Sequence, residues 1–301
     1  MEGKSVFTSE LCYFDVIKAI SEICADNSLF NEYNIGKSCA GRDIKAVKLG
    51  NAENYALIGA ATHGSEHITT NILLSFMAEL ANALKNDLPI CGFNAAKALY
   101  KKGVIFVPRI NPDGCEIAIN GFKTGGVFGE NAEKISRGDY RHYNANLRGV
   151  DINHNFKAGW NELKKLETDS GIYGPSPTRY GGRHPESEPE TVCLCELCRN
   201  IRIRQLLSLH TQGEVIYWTY GNKKPKRSER MAQIMASSSG YALDVPTGLA
   251  VGGGFKDWFI DEFDRPGFTA ELGMGENPLP INSAEEIYKS VREMLMLFCI
   301  M

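Results

Sequence analysis

Residues 55–80, YALIGAATHGSEHITTNILLSFMAEL, carry the reading that decides the fold. Tyr55 to Ala60 is a short uncharged apolar run, the pattern of a strand buried on both faces. From Ile68 to Leu84 the apolar residues return at helical spacing. Between the two lies HGSEH, residues 63–67, which puts imidazoles and a carboxylate where the strand turns into the helix.

Working outward, the same alternation repeats. Ile44 to Leu49, Val104 to Val107, Leu206 to Leu209, Val215 to Thr219 and Gly267 to Ala270 read as further strands. Helical patterns cover Pro189 to Asn200, Glu229 to Ser238, Lys256 to Phe263 and Ala284 to Phe298. Strands alternating with helices of this length predict an α/β protein, with a mixed, mostly parallel twisted sheet and helices on both faces. No repeat or long linker interrupts residues 1–301, so one domain is expected, with residues 1–32 as an N-terminal helical segment packed on it. Asn111 to Pro185 breaks the rhythm, being rich in Gly, Asn and Arg, and is expected to supply active-site loops.

The composition narrows the class. With 33 Lys and Arg against 36 Asp and Glu, a net charge of −3, there is no basic footprint for nucleic acid and no polybasic membrane patch. No apolar stretch is long enough for a membrane span. The first residues, MEGKSVFTSELCYF, lack the apolar core of an export signal, and nine cysteines is an odd number, so the expectation is a cytoplasmic protein with free thiols.

His63 and Glu66, three apart at a strand end, can aim at one spot beyond the sheet edge, and an imidazole with a carboxylate suits zinc. The spacing is not HExxH, so the helix-borne metalloprotease motif is excluded. A catalytic zinc needs a third protein ligand, and His210, closing the apolar run LLSL, is the candidate. Glu271, at the end of PGFTAELG, is a carboxylate free of ligand duty that is able to take a proton from water. Each of these residues alone also reads as an ordinary strand-end polar group.

Taken in order, HGSEH, NPDG (111–114), RGVDINHNF (148–156), SLHTQGE (208–214) and FTAELG (268–273) resemble the zinc carboxypeptidase family, from about Tyr33 to the C-terminal helix. The resemblance implies that fold, one zinc per chain held by His63, Glu66 and His210, and Glu271 as general base and acid. It implies that Asp151 fixes the His63 imidazole and that an arginine stabilises the oxyanion, for which Arg148 is the choice, with Arg141 and Arg137 as rivals. Where family members carry an Asn-Arg pair for the substrate's terminal carboxylate, this chain has Asn153-His154, and Leu249 stands near the position of a family tyrosine. HTQGEVIYW, GGFKDWFI and PGFTAELGMGENPLP look like the γ-D-glutamyl-L-diamino acid peptidases. The substrate then expected is a murein tri- or tetrapeptide cut between γ-D-Glu and meso-diaminopimelate, with Asn153, His154 and Lys256 as substrate contacts and Gly252 to Gly254 letting backbone approach it. A carboxypeptidase of ordinary L-peptides and a non-catalytic wall-peptide binder are the competing readings.

Three other features read as structural. Cys193, Cys195 and Cys198 lack a second ligand cluster and read as buried thiols. His67 reads as a helix-start residue, and KKPKRSER (223–230) as a solvated charged loop. Oligomeric state is not encoded in any of these patterns.

Overall fold

The computed structural model describes residues 6–301. In chain order these form α1 (Tyr13–Asp26), β1 (Phe30–Lys37), β2 (Asp43–Leu49), β3 (Tyr55–Ala60), α2 (Ile68–Asn86), a ribbon of β4 (Pro89–Ile90) and β5 (Phe93–Asn94), α3 (Ala95–Ala98) and β6 (Gly103–Val107). Then come α4 (Pro112–Asn120), α5 (Gly129–Ser136), α6 (Trp160–Asp169), α7 (Pro189–Asn200), β7 (Ile203–His210) and β8 (Val215–Tyr217). The last elements are α8 (Ser228–Ser239), β9 (Ala242–Asp244), α9 (Phe255–Phe263), β10 (Gly267–Glu271) and α10 (Ala284–Ile300).

Eight strands make one mixed sheet in the order β1-β2-β6-β3-β7-β10-β8-β9. Its centre, β6-β3-β7-β10, is parallel throughout. The period of two along a strand sorts side chains to two cores. Ala56 and Ile58 of β3, with Val104 and Phe106 of β6, join α1, α2, α8 and α10 on one face. Leu57, Ile105 and Val107 face α7 and α9 on the other. Burying a side chain of this size stabilises the fold by roughly 1.5–3 kcal/mol, so the two cores hold the central strands rigidly beneath whatever their ends carry. Cys193, Cys195 and Cys198 lie inside the second core, and no described cysteine is in a disulfide. Among the described residues no helix is long and apolar enough to cross a membrane.

Two expectations need correction. The N-terminal helix spans only Tyr13–Asp26, and residues 30–32 already belong to edge strand β1, whose polar FNEYNIGK gives a weak apolar signal; residues 1–5 lie outside the described part. The segment 111–185, expected as loops, also holds α4, α5 and α6. These helices are short, and α6 buries a single apolar side chain, Leu163, so the stretch reads as polar rather than helical.

Candidate metal centre

Three adjacent parallel strands deliver the chemistry. β3 ends at Ala60 and leads to His63 and Glu66, β7 ends at His210, and β10 ends at Glu271, which pairs in register with His210. The sheet places all four groups beyond its carboxyl edge, where open α/β sheets hold ligands.

The turn between the first two ligands is tightly enclosed. Gly64 to Glu66 form a single 3-10 turn after an extended His63. A Cβ on Gly64 would sit 2.4 Å from the carbonyl oxygens of Gly114 and Tyr143, so only glycine fits between the ligands. Asn111 holds the surrounding loops together. Its Nδ2 donates to the carbonyls of Thr62 (3.1 Å) and Ala145 (3.1 Å), and its Oδ1 accepts from Gly114 N–H at the start of α4. The NPDG motif thus anchors the ligand loop without contributing a ligand.

His63 Nδ1 lies 2.8 Å from Glu66 Oε1 and His210 Nδ1 lies 3.0 Å from Glu66 Oε2. One ligand atom from each of the three residues falls within 4.8 Å of the others. Tetrahedral coordination at zinc's bond lengths separates ligand atoms by about 3.3 Å, so this donor set fits the ion. The far ring nitrogens are also held: His63 Nε2–H donates to Asp151 Oδ1 at 3.0 Å, and His210 Nε2 meets Ser208 Oγ at 3.1 Å. Asp151 itself is buried and accepts from the backbone N–H of Asn153 and Arg179.

The charges are arranged for a cation. Burial draws the His63 pKa down, but the Glu66 and Asp151 carboxylates outweigh it and hold it well above the ordinary value. Burial raises Glu66, yet His63 and His210 bring it down to about 2. Without a metal, His63 therefore carries a proton at neutral pH, and zinc must displace it. Zinc affinity is expected to fall about tenfold for each unit that the pH drops below the His63 pKa. Asp151→Asn removes one of the charges that raise it, so the fall begins at lower pH, while the affinity itself drops about 10- to 100-fold. Competition with a chromophoric chelator across neutral pH measures both effects; a variant that binds zinc as tightly as the parent would remove Asp151 from this role.

The metal group opens into a cavity of about 530 Å³. Asn153, His154, Arg179, Lys256, Asp257 and Glu271 are among its lining residues. Glu271 is raised to about 7, mainly by burial and secondarily by the Glu66 charge, against the opposing pull of His210 and His63. Lys256 is buried; its Nζ donates to Thr219 O (2.6 Å) and is paired with Asp257. Asp257 Oδ2 in turn accepts from Gly252 N–H at 2.7 Å. Asn153 Oδ1 accepts from Phe255 N–H, and His154 Nδ1–H donates to Arg179 O at 2.8 Å. Leu249 lines the same cavity. Of the three glycines, Gly253 answers to the protein: a Cβ there would lie 2.7 Å from His154 O, so its smallness serves packing between two loops.

Arg148 is a correction. Its Nη1 lies 3.7 Å from Glu188 Oε2, and it lines a separate cavity with Phe128, Tyr180 and Arg183. The reason is the turn it occupies. Asn146 Oδ1 accepts from both Arg148 N–H and Val150 N–H, and Gly149 takes φ +72°, so the turn closes around Asn146, whose Nδ2 is bonded to Glu188. Arg141 is engaged with Glu10, and neither it nor Arg137 lines the metal cavity. The arginine that does is Arg179, in a Gly- and Pro-rich stretch without a periodic signal that could have singled it out. Asp257 was also overlooked, although it adjoins Lys256.

Cys39, Glu188 and Glu190 form a second group with metal-ligand spacing. Asn146 Nδ2 already donates to Glu188 Oε2 (2.7 Å) and Glu190 Oε2 (3.1 Å), and its Oδ1 is committed to the turn, so an amide fills the place of an ion. Residues 223–230 contribute nothing to the metal cavity, and His67 is buried just before α2, with its pKa lowered to about 4 by burial.

Residues 17–296 match the zinc carboxypeptidase family. The chain is 35% identical over 258 residues to γ-D-glutamyl-L-diamino acid endopeptidase 1 of Lysinibacillus sphaericus, covering 85% of this chain and 63% of that protein. It is 27% identical to murein peptide amidase A of Escherichia coli (strain K12), over 77% of this chain and 75% of the other. In fold it is similar to bovine thrombin-activatable fibrinolysis inhibitor bound to tick carboxypeptidase inhibitor, with a TM-score of 0.76 at 19% identity and 98% of each chain covered.

Proposed function

The chain belongs to the zinc carboxypeptidase family, and from that premise we propose that it is a zinc metallopeptidase that hydrolyses the amide between γ-D-Glu and meso-diaminopimelate in small murein peptides. The observation that carries the reading is the buried Lys256–Asp257 pair in the cavity lining. The far end of diaminopimelate is a zwitterion, one ammonium and one carboxylate on a single carbon. A cation beside an anion in a desolvated wall matches that pattern and leaves an apolar side chain without partners. Similarity to a γ-D-glutamyl-L-diamino acid endopeptidase and to a murein peptide amidase supports the same substrate class. The cavity volume suits a tri- or tetrapeptide end.

The residues divide the chemistry as follows. His63, Glu66 and His210 hold zinc, which when bound polarises the scissile carbonyl and acidifies a water molecule. Glu271 takes the proton from the attacking water and returns it to the leaving amine of the diamino acid. Burial raises its carboxyl above the ordinary range, which makes it a better proton acceptor than a free carboxylate and keeps it able to donate. Asp151 holds the His63 tautomer, and Asn153, fixed through its Oδ1 by Phe255 N–H, lines the cavity beside it.

The test is hydrolysis of L-Ala-γ-D-Glu-meso-diaminopimelate beside a hippuryl-type L-dipeptide. Release of diaminopimelate from the first, at a kcat/KM at least about tenfold above the second, is the expected result. Cleavage of the L-dipeptide alone overturns the reading, as does the absence of any turnover in zinc-loaded protein.

A further inference from the structure

We propose that Arg179 grips the carboxylate adjacent to the leaving amine, and that His154 is the residue that positions it; the substrate named here rests on the reading above. Three observations lead to this. The position from which a family arginine would reach that carboxylate holds His154, a ring without a planar fork of donors. That ring is already in use, because its Nδ1–H donates to the Arg179 carbonyl at 2.8 Å. Arg179 lines the metal cavity, is the one arginine that does so, and has no carboxylate paired with its guanidinium among the described residues.

The backbone around Arg179 shows how it is held. Its φ is +67°, in the left-handed region that a bulky residue occupies only where its surroundings impose it. The surroundings do so from both sides. Asp151 Oδ2 accepts the Arg179 N–H at 2.8 Å, and His154 takes up the carbonyl. The Asp151 N–H also donates to the carbonyl of Tyr180. The carboxylate that holds the His63 ring thus holds the Arg179 backbone as well, so the two residues are tied together through a single side chain. An arginine on the facing loop, with a histidine at the Asn-His step bonded to its carbonyl, reconciles the missing motif residue with the arginine that lines the cavity and keeps an exposed guanidinium without a carboxylate partner among the described residues.

The substrate side of the interaction makes it testable. In L-Ala-γ-D-Glu-meso-diaminopimelate the carboxylate next to the scissile nitrogen can be amidated without altering the bond that is cut. Arg179→Gln is expected to lower kcat/KM about 10- to 100-fold on the free carboxylate, mostly through KM, and to change it by less than about threefold on the amide. Arg179→Lys, which keeps the charge and loses the fork, falls between. His154→Ala reproduces the carboxylate-specific loss, and His154→Asn, whose amide N–H occupies the place of Nδ1–H toward the Arg179 carbonyl, restores most of it. Unchanged zinc content shows that each variant is folded at the site. Equal losses on the carboxylate and the amide, or no loss on either, overturn the proposal. If the parent protein cuts only L-peptides, the substrate reading fails separately, and the same comparison on that peptide and its C-terminal amide decides the role of Arg179.

Discussion

Glu271→Gln is expected to lower kcat by about 10²- to 10⁴-fold while zinc stays at one ion per chain. The substitution keeps the size of the side chain and removes only its ability to take a proton. Glu271 is not one of the three residues of the metal group, so that group remains intact. It lies beside His210 in strand register, close enough for the ligands to influence its titration. In the parent protein Glu271 must be ionised to act as base, so kcat/KM rises with pH as its proton leaves. Burial puts that proton near pH 7 in the metal-free site, and the charge of zinc moves it lower, so the acid limb of the profile falls below 7. The Gln variant loses that limb along with its rate. A variant with undiminished turnover would sink the assignment, and one that loses zinc would show that Glu271 belongs to the metal group instead.

His210→Ala should abolish both zinc retention and activity. Protein zinc sites of full ligand number are worth about 10–16 kcal/mol, and one ligand of three carries roughly 3–5 of these, so affinity should weaken about 10²- to 10⁴-fold. Removal of His210 also leaves the buried Glu66 Oε2 with only the longer bond from Thr211 N–H at 3.3 Å among the described residues. Metal analysis after dialysis gives the first readout. Thermal melting gives the second: a chelator should lower the melting temperature of the parent, which zinc stabilises by mass action, and leave the variant where it is. A variant that retains stoichiometric zinc would remove His210 from the ligand set.

Much of the fold was legible because it rests on local periodicity. The apolar runs at Tyr55 to Ala60 and Gly267 to Ala270 have no charge to contest the strand assignment, and Pro189 to Asn200 has a proline start that marks its helix to the residue. Edge strand β1 was hidden because its outer face is polar. The helices inside 111–185 were hidden because they pack mostly through backbone turns and a small separate core around Phe122, Tyr143 and Leu147.

The sequence by itself determined which chemical groups stand at strand ends and in what order. His63, Glu66, His210 and Glu271 each follow an apolar run, and parallel strands side by side must then present them at the same edge. Only the tertiary structure decided which arginine shares the cavity with them. Arg148, Arg141, Arg137 and Arg179 are equivalent as letters in an irregular region. Their places are set by contacts between residues distant in the chain: Arg148 lies beside Glu188, Glu10 occupies Arg141, and Asp151 with His154 sets Arg179 in the wall of the metal cavity. A loop has no period to reveal its inner face, so its side-chain directions follow from long-range hydrogen bonds that come into existence only when the chain has folded.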